Sequence, residues 1–163
     1  HAARDAGVNF IDTADMYNDG ESEAVVGRAI AGDRDHWVLA TKCGNPMGSG
    51  PNQSGMSRKW IREAVHGSLR RLGTDFIDIV YMHKADFDAP LEEMVLAFAD
   101  LIREGKIGYF AVSNFKACSF FSPRWGTRMS TLRPAFWLSA SHIRSASSIA
   151  SDRITCFGGS LLS

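Results

Sequence analysis

Polar residues gather where short apolar runs end, and their types suit one reaction. Asp12 and Thr13 close the run Val8–Thr13, Lys42 closes Trp37–Lys42, His83 closes Phe76–His83, and Ser113-Asn114 close Ile107–Ser113. Tyr17 follows Asp12 by five residues. An acid, a phenol, an amine and an imidazole brought together fit the reduction of a carbonyl. A hydride that reaches carbon must be matched by a proton at oxygen. Tyrosine can give that proton, although its reference pKa of about 10 is high for the task. A neighbouring ammonium favours the phenolate. Lys42 is the candidate ammonium, and Asp12 the acid that would pair with it and hold it. His83 is the candidate for orienting a substrate oxygen. Ser113 and Asn114 offer hydroxyl and amide groups suited to a planar carboxamide, such as that of nicotinamide. A single lysine after an apolar strand reads as a solvated end. Four such groups in register do not.

Register requires elements that hold it. Residues 57–72 are predicted to form a helix: Ser57 is a plausible N-cap, and Ile61, Ala64, Val65, Ser68, Leu69 and Leu72 share one face. Gly73 follows, where a left-handed residue is expected. A second helix starts near Pro90 and ends at Gly105, a third runs from about Ser22 to Ile30, and the opening HAARDA closes at Gly7. After each helix comes one of the four apolar runs. These runs are nearly continuous in apolar character, as strands buried on both faces are. Helices alternating with such strands imply a parallel sheet with right-handed crossovers. Helix-to-strand links are short. The strand-to-helix links Ala14–Gly20 and Cys43–Met56 are longer, and such loops carry the chemistry of α/β folds.

The motifs also resemble a known family. GVNFIDTADMY followed by ESEAVVGRAI is similar to the first signature of the aldo-keto reductases, and VLATK, DIVYMH and YFAVSNF are similar to its later strand motifs, in the family's order. GNPMGSGPNQSGMSRKWI resembles the bacterial and potassium-channel β-subunit-like branch. The resemblance covers roughly residues 1–117. It implies an α/β fold, a partial (β/α)8 TIM barrel of approximately strands two to five. It implies NADPH, with NADH possible, as cofactor and a small-molecule aldehyde or ketone as substrate. It places Asp12, Tyr17, Lys42 and His83 on the family's catalytic tetrad, with Tyr17 as general acid. Ser113 and Asn114 fall on the pair that holds the nicotinamide carboxamide.

The chain divides near residue 117. Residues 1–117 hold 13 basic and 17 acidic residues, whereas 118–163 hold five Arg and a single acid, Asp152. Serine rises from 6 in the first part to 11 in the second. Residues 118–163 therefore read as an atypical Ser/Arg-rich, irregular tail, frameshifted or disordered. A full barrel typically needs about 250 residues, so 163 are read as a fragment cut at both ends. The isolated chain is expected to bind NADPH weakly or not at all and to be inactive. Its open sheet edges at Val8–Thr13 and Ile107–Ser113 invite self-association.

Composition excludes other classes. The 18 basic and 18 acidic residues balance, which argues against a nucleic-acid module. No apolar run approaches the roughly 20 residues that cross a bilayer. Three widely spaced cysteines suit a reducing compartment, and a cytoplasmic location is expected. No metal site is read. His36, His66 and His142 are surface or partly buried residues, and Cys43, Trp60 and Met82 are packing residues. Glu21 and Glu23 favour the helix dipole. Asp15 and Asn18 flank the proton donor without an assigned role. Two other readings stay open: a cofactor-sensing regulatory subunit of the same fold, and a metal-dependent hydrolase using Asp12 and His83.

Overall fold

The computed structural model describes residues 2–86 and 88–114. The readings made for 118–163, including the tail and His142, lie outside them. A short helix α1 (Ala2–Asp5) precedes strand β1 (Phe10–Asp12), and helix α2 (Glu21–Ile30) leads to β2 (Val38–Cys43). Helix α3 (Arg58–Leu72), β3 (Ile77–Met82), α4 (Leu91–Arg103) and β4 (Ile107–Val112) follow. The four strands form one parallel sheet in the order β1-β2-β3-β4. Each strand is joined to the next by a helix, consistent with a sector of a β/α barrel.

The punctuation expected from the sequence sets these bounds. Ser57 caps α3 by accepting the Trp60 N–H at 3.2 Å. At the far end Gly73 takes φ 64° and donates to the Arg70 carbonyl, while Thr74 donates to Leu69. The same pair of bonds closes α4 around Gly105 and α1 around Gly7. This Schellman arrangement satisfies the last helix carbonyls and turns the chain directly into the next strand. It also explains why β1 starts at Phe10 and not at Val8. The Val8 N–H is spent on the Ala3 carbonyl, 3.0 Å away, and cannot join the ladder. Pro90 stands one residue before α4, where its fixed φ and missing N–H cost nothing.

One face of the sheet packs on the helices. Leu39, Thr41, Cys43, Val80 and Met82 are buried there against residues such as Ile61, Val65, Leu72, Met94 and Phe98. Phe98 of α4 stacks on Phe110 of β4 with ring centroids 5.2 Å apart. The opposite face, the concave side of the sector, carries Asp12, Ala40, Lys42, Ile79, Tyr81 and Tyr109. Among the described residues no helix is long and apolar enough to cross a membrane.

α2 and α3 approach closely at Gly27. A Cβ there would lie 2.3 Å from the carbonyl oxygen of Leu72. That oxygen is backbone at a helix end and cannot swing away. Gly27→Ala is therefore expected to lower stability by about 1–3 kcal/mol. Urea unfolding followed by circular dichroism measures it; an unchanged midpoint would mean that the two helices separate without cost.

Candidate active site

The strand-end residues expected to share one face do so, because all four strands run the same way. Lys42 sits on β2 with Asp12 on the neighbouring strand. Its ammonium donates to Asp12 Oδ1 and to the Thr13 carbonyl, the latter at 2.8 Å. The lysine is buried, and these two acceptors compensate for its loss of water. The ammonium also lies 5.2 Å from the centre of the Tyr17 ring. His83, just past β3, meets the same ring edge-on, with centroids 5.8 Å apart and planes 80° from parallel. The Asp12–Lys42 pair from two strands and His83 from just past a third thus meet at one phenol, that of Tyr17.

Tyr17 reaches this position through an unusual turn. It opens a single 3-10 turn in which Asn18 and Asp19 take φ of 50° and 52°, and Gly20 takes 93° before α2 begins. Asparagine and aspartate tolerate the left-handed region better than most residues. Three successive residues there reverse the chain within one turn, so the phenol is carried over the strand ends. Tyr17 remains 42% exposed. A reactant can therefore reach its oxygen, and water can return a proton to it.

His83 titrates below its ordinary range. Burial is the main cause and the Lys42 ammonium the second, with Asp12 opposing and Lys84 assisting. The imidazole is accordingly neutral at neutral pH, and a neutral ring beside Lys42 can donate a hydrogen bond without adding charge. Tyr81, which pairs with Lys42 in the β2–β3 register, is a second phenol that sequence reading did not single out. Its ring lies 5.9 Å from the Lys42 ammonium. Burial, followed by the charge of Asp12, raises its pKa. It is therefore poorly suited to give up a proton. Ser113 follows β4, and its N–H donates to the Met82 carbonyl at 2.9 Å, which sets it beside His83. Asn114, next in the chain, has a left-handed φ of 59°.

Behind the sheet lies a group that sequence reading placed differently. Glu23 was expected as a helix-dipole acid, but it is 0% exposed. It accepts the Thr41 hydroxyl at 2.5 Å and the Arg71 Nε at 2.7 Å. Asp15 is equally buried, and among the described residues neither carboxylate oxygen has a well-formed hydrogen bond. Burial and then Glu23 raise its pKa to about 7, while the nearby Met16 N–H and Arg71 draw it back in part. Burial, with Asp15 and Glu23, also pushes the Cys43 thiol well above its usual range, so Cys43 packs and does not react. An i,i+2 spacing of acids at a helix start gave no sign of this, because it is also common on solvated helices. Trp60 and Met82 are core residues, as expected. Among the described residues no group of three or more His, Cys, Asp or Glu could hold a metal ion.

The profile of the Aldo/keto reductase family matches residues 1–122. The chain belongs to the aldo-keto reductase family. It is 42% identical over 119 residues to a Schizosaccharomyces pombe protein named putative voltage-gated potassium channel subunit beta, covering 71% of this chain and 35% of that one. It is 39% identical over 116 residues to the Bacillus subtilis uncharacterized oxidoreductase YqkF, covering 70% and 38%. With versiconal hemiacetal acetate reductase of Aspergillus parasiticus it shares 37% identity over 138 residues, covering 72% and 40%. The aldo-keto reductase chain thus spans little more than a third of the length of these relatives. Both branches read from the sequence, reductase and channel subunit, are represented among them.

Proposed function

We propose that this segment carries the proton-donating half of an NAD(P)H-dependent carbonyl reductase, with Tyr17 as the donor. The supporting observation is the Asp12–Lys42 ion pair set beneath the Tyr17 ring, with His83 at the ring edge. Tyr17 gives its proton to the carbonyl oxygen of an aldehyde or ketone. Negative charge then develops on the Tyr17 oxygen, and Lys42 stabilises it through space. Asp12 and the Thr13 carbonyl hold Lys42, so the ammonium need not reorganise as the charge appears. His83, neutral, donates to the substrate oxygen and fixes its direction. A bound nicotinamide would supply the hydride to the carbonyl carbon. Ser113 and Asn114 have the hydroxyl and amide chemistry that a carboxamide requires, so the residues present fit such a group. Relatives named as oxidoreductase and reductase support this reading.

A second reading has its own support, in the 42% identity to a relative named as a potassium channel subunit. In it the same site senses the redox state of the nucleotide and turnover is negligible. One experiment separates the two. NADPH consumption is followed with a panel of aldehydes, using the 163-residue chain and, in parallel, residues 8–114 grafted over the matching segment of the Bacillus subtilis relative. Saturable consumption by the graft supports the reductase. Nucleotide binding by the graft without consumption supports the sensor. Consumption by the 163-residue chain itself would overturn the expectation that it is inactive alone.

A further inference from the structure

The pleat of β1 and β2 divides four adjacent residues between two faces. Asp12 and Lys42 point to the concave face, and their neighbours Thr13 and Thr41 point to the helices. Both threonines are held by consecutive residues of one helical turn. Thr13 Oγ1 and Ser22 Oγ are 2.8 Å apart, and the Thr41 hydroxyl donates to Glu23 at 2.5 Å. Arg71 then ties Glu23 to α3. The first turn of α2 therefore grips, from behind, the residue next to each member of the ion pair.

β1 needs such a grip. It has three residues, and its described pairing is with β2 alone. A slip of one residue would turn Asp12 to the helices and away from Lys42. A buried charge pair is a poor means of adding stability, since apolar residues of the same volume often do as well or better. Its directional bonds are a good means of fixing register.

We propose that Ser22 and Glu23, with Arg71 as the counter-charge, are positioning residues that set the Asp12–Lys42 pair. This rests on the reading of that pair as support for Tyr17. The test does not use turnover, so the two readings fail separately. Each lysine of the 163-residue chain is acetylated competitively with acetic anhydride, and the rates are read by mass spectrometry. Lys42 is expected to react more slowly than the exposed Lys59 and Lys84. Thr41→Val removes the hydroxyl link and leaves the Glu23–Arg71 pair intact. It is expected to speed acetylation of Lys42 by about tenfold through local opening. Amide protection of Val80 and Phe110, in β3 and β4, should not change. Thr41→Ser, which restores the hydroxyl, should return Lys42 to the original rate. Glu23→Gln, which loses the counter-charge to Arg71 but leaves Thr41 a neutral acceptor, should speed Lys42 acetylation by less than Thr41→Val does.

An unchanged Lys42 rate in Thr41→Val overturns the proposal. So does loss of protection throughout the sheet in Thr41→Val, because the network would then hold the whole fold and not the pair. Unfolding of Glu23→Gln alone leaves Thr41→Val and its serine rescue to decide. Normal Lys42 behaviour in an inactive graft would instead sink the reductase reading and leave the positioning role standing.

Discussion

Replacing Tyr17 by Phe is expected to cut carbonyl turnover in the graft by about 10²–10⁴-fold, with little change in KM. The substitution removes one oxygen and keeps the ring. The edge contact with His83 at 5.8 Å and the ring contact with Lys42 at 5.2 Å both survive. The side chain is partly exposed and the substitution keeps its ring, so the fold should be little changed. The loss is then confined to the proton that the transition state requires, which lowers kcat. Tyr81→Phe is the matched control. That phenol sits beside the same ammonium, but burial and Asp12 raise its pKa above the ordinary tyrosine value. Its replacement should leave most of the turnover. Equal losses in the two variants would mean that Lys42 serves either phenol. An unchanged rate in Tyr17→Phe would take the donor role from Tyr17. Steady-state kinetics, with nucleotide binding measured separately, distinguish these results.

The place of Lys42 at a strand end is legible from an apolar run followed by one amine, and so is that of His83. The helix ends were legible because glycine at Gly73 and Gly105 performs a task that sequence marks openly: it takes a left-handed φ after an apolar periodic stretch. Most strand bounds read one or two residues too long, whereas β2 runs one residue past its expected end, to Cys43. Val8 and Phe76 are apolar and fit a strand pattern, yet Val8 donates its N–H to α1, and the Phe76 carbonyl accepts from Arg34 at 2.9 Å. Neither partner leaves a trace in the apolar pattern of the run itself.

The site was legible as a set of residues but not as a geometry. Spacing places Tyr17 five residues after Asp12. Only the left-handed Asn18 and Asp19 show how the phenol folds back over Lys42. The network behind the sheet was less legible still. Glu23 reads as a helix-dipole acid and Asp15 as a neighbour of the proton donor without a role, and burial of a carboxylate cannot be read from its neighbours in sequence. Arg71, which answers Glu23, lies 48 positions further on. The aldo-keto reductase resemblance concerns residues of the concave face, and it gives no role to the face that meets the helices.

Asp15 carries the second large expectation, and its sign follows from where the proton sits. Burial beside Glu23 raises the carboxyl from 3.8 to about 7. An acid whose pKa is higher in the folded state binds its proton more tightly there. Below the lower value both states are protonated and Asp15 contributes no pH dependence. Between the two values the unfolded chain releases the proton while the fold retains it, so stability falls as pH rises. Above about 7 the fold must hold a buried charge that the Met16 N–H and Arg71 offset only in part, and the full penalty is present. Asp15→Asn removes the titration. Relative to the parent chain, the variant should gain up to about 4 kcal/mol between about pH 4 and about pH 8. Urea unfolding of both proteins across that range tests it. Parallel curves would show that water or another donor reaches Asp15. Diverging curves would show that the turn carrying Tyr17 rests on a neutral acid. Its backbone N–H donates to the Lys42 carbonyl at 3.0 Å. Charging Asp15 would therefore weaken the fold where β1 passes into the turn that carries Tyr17, and turnover by the graft should decline with it on the alkaline side.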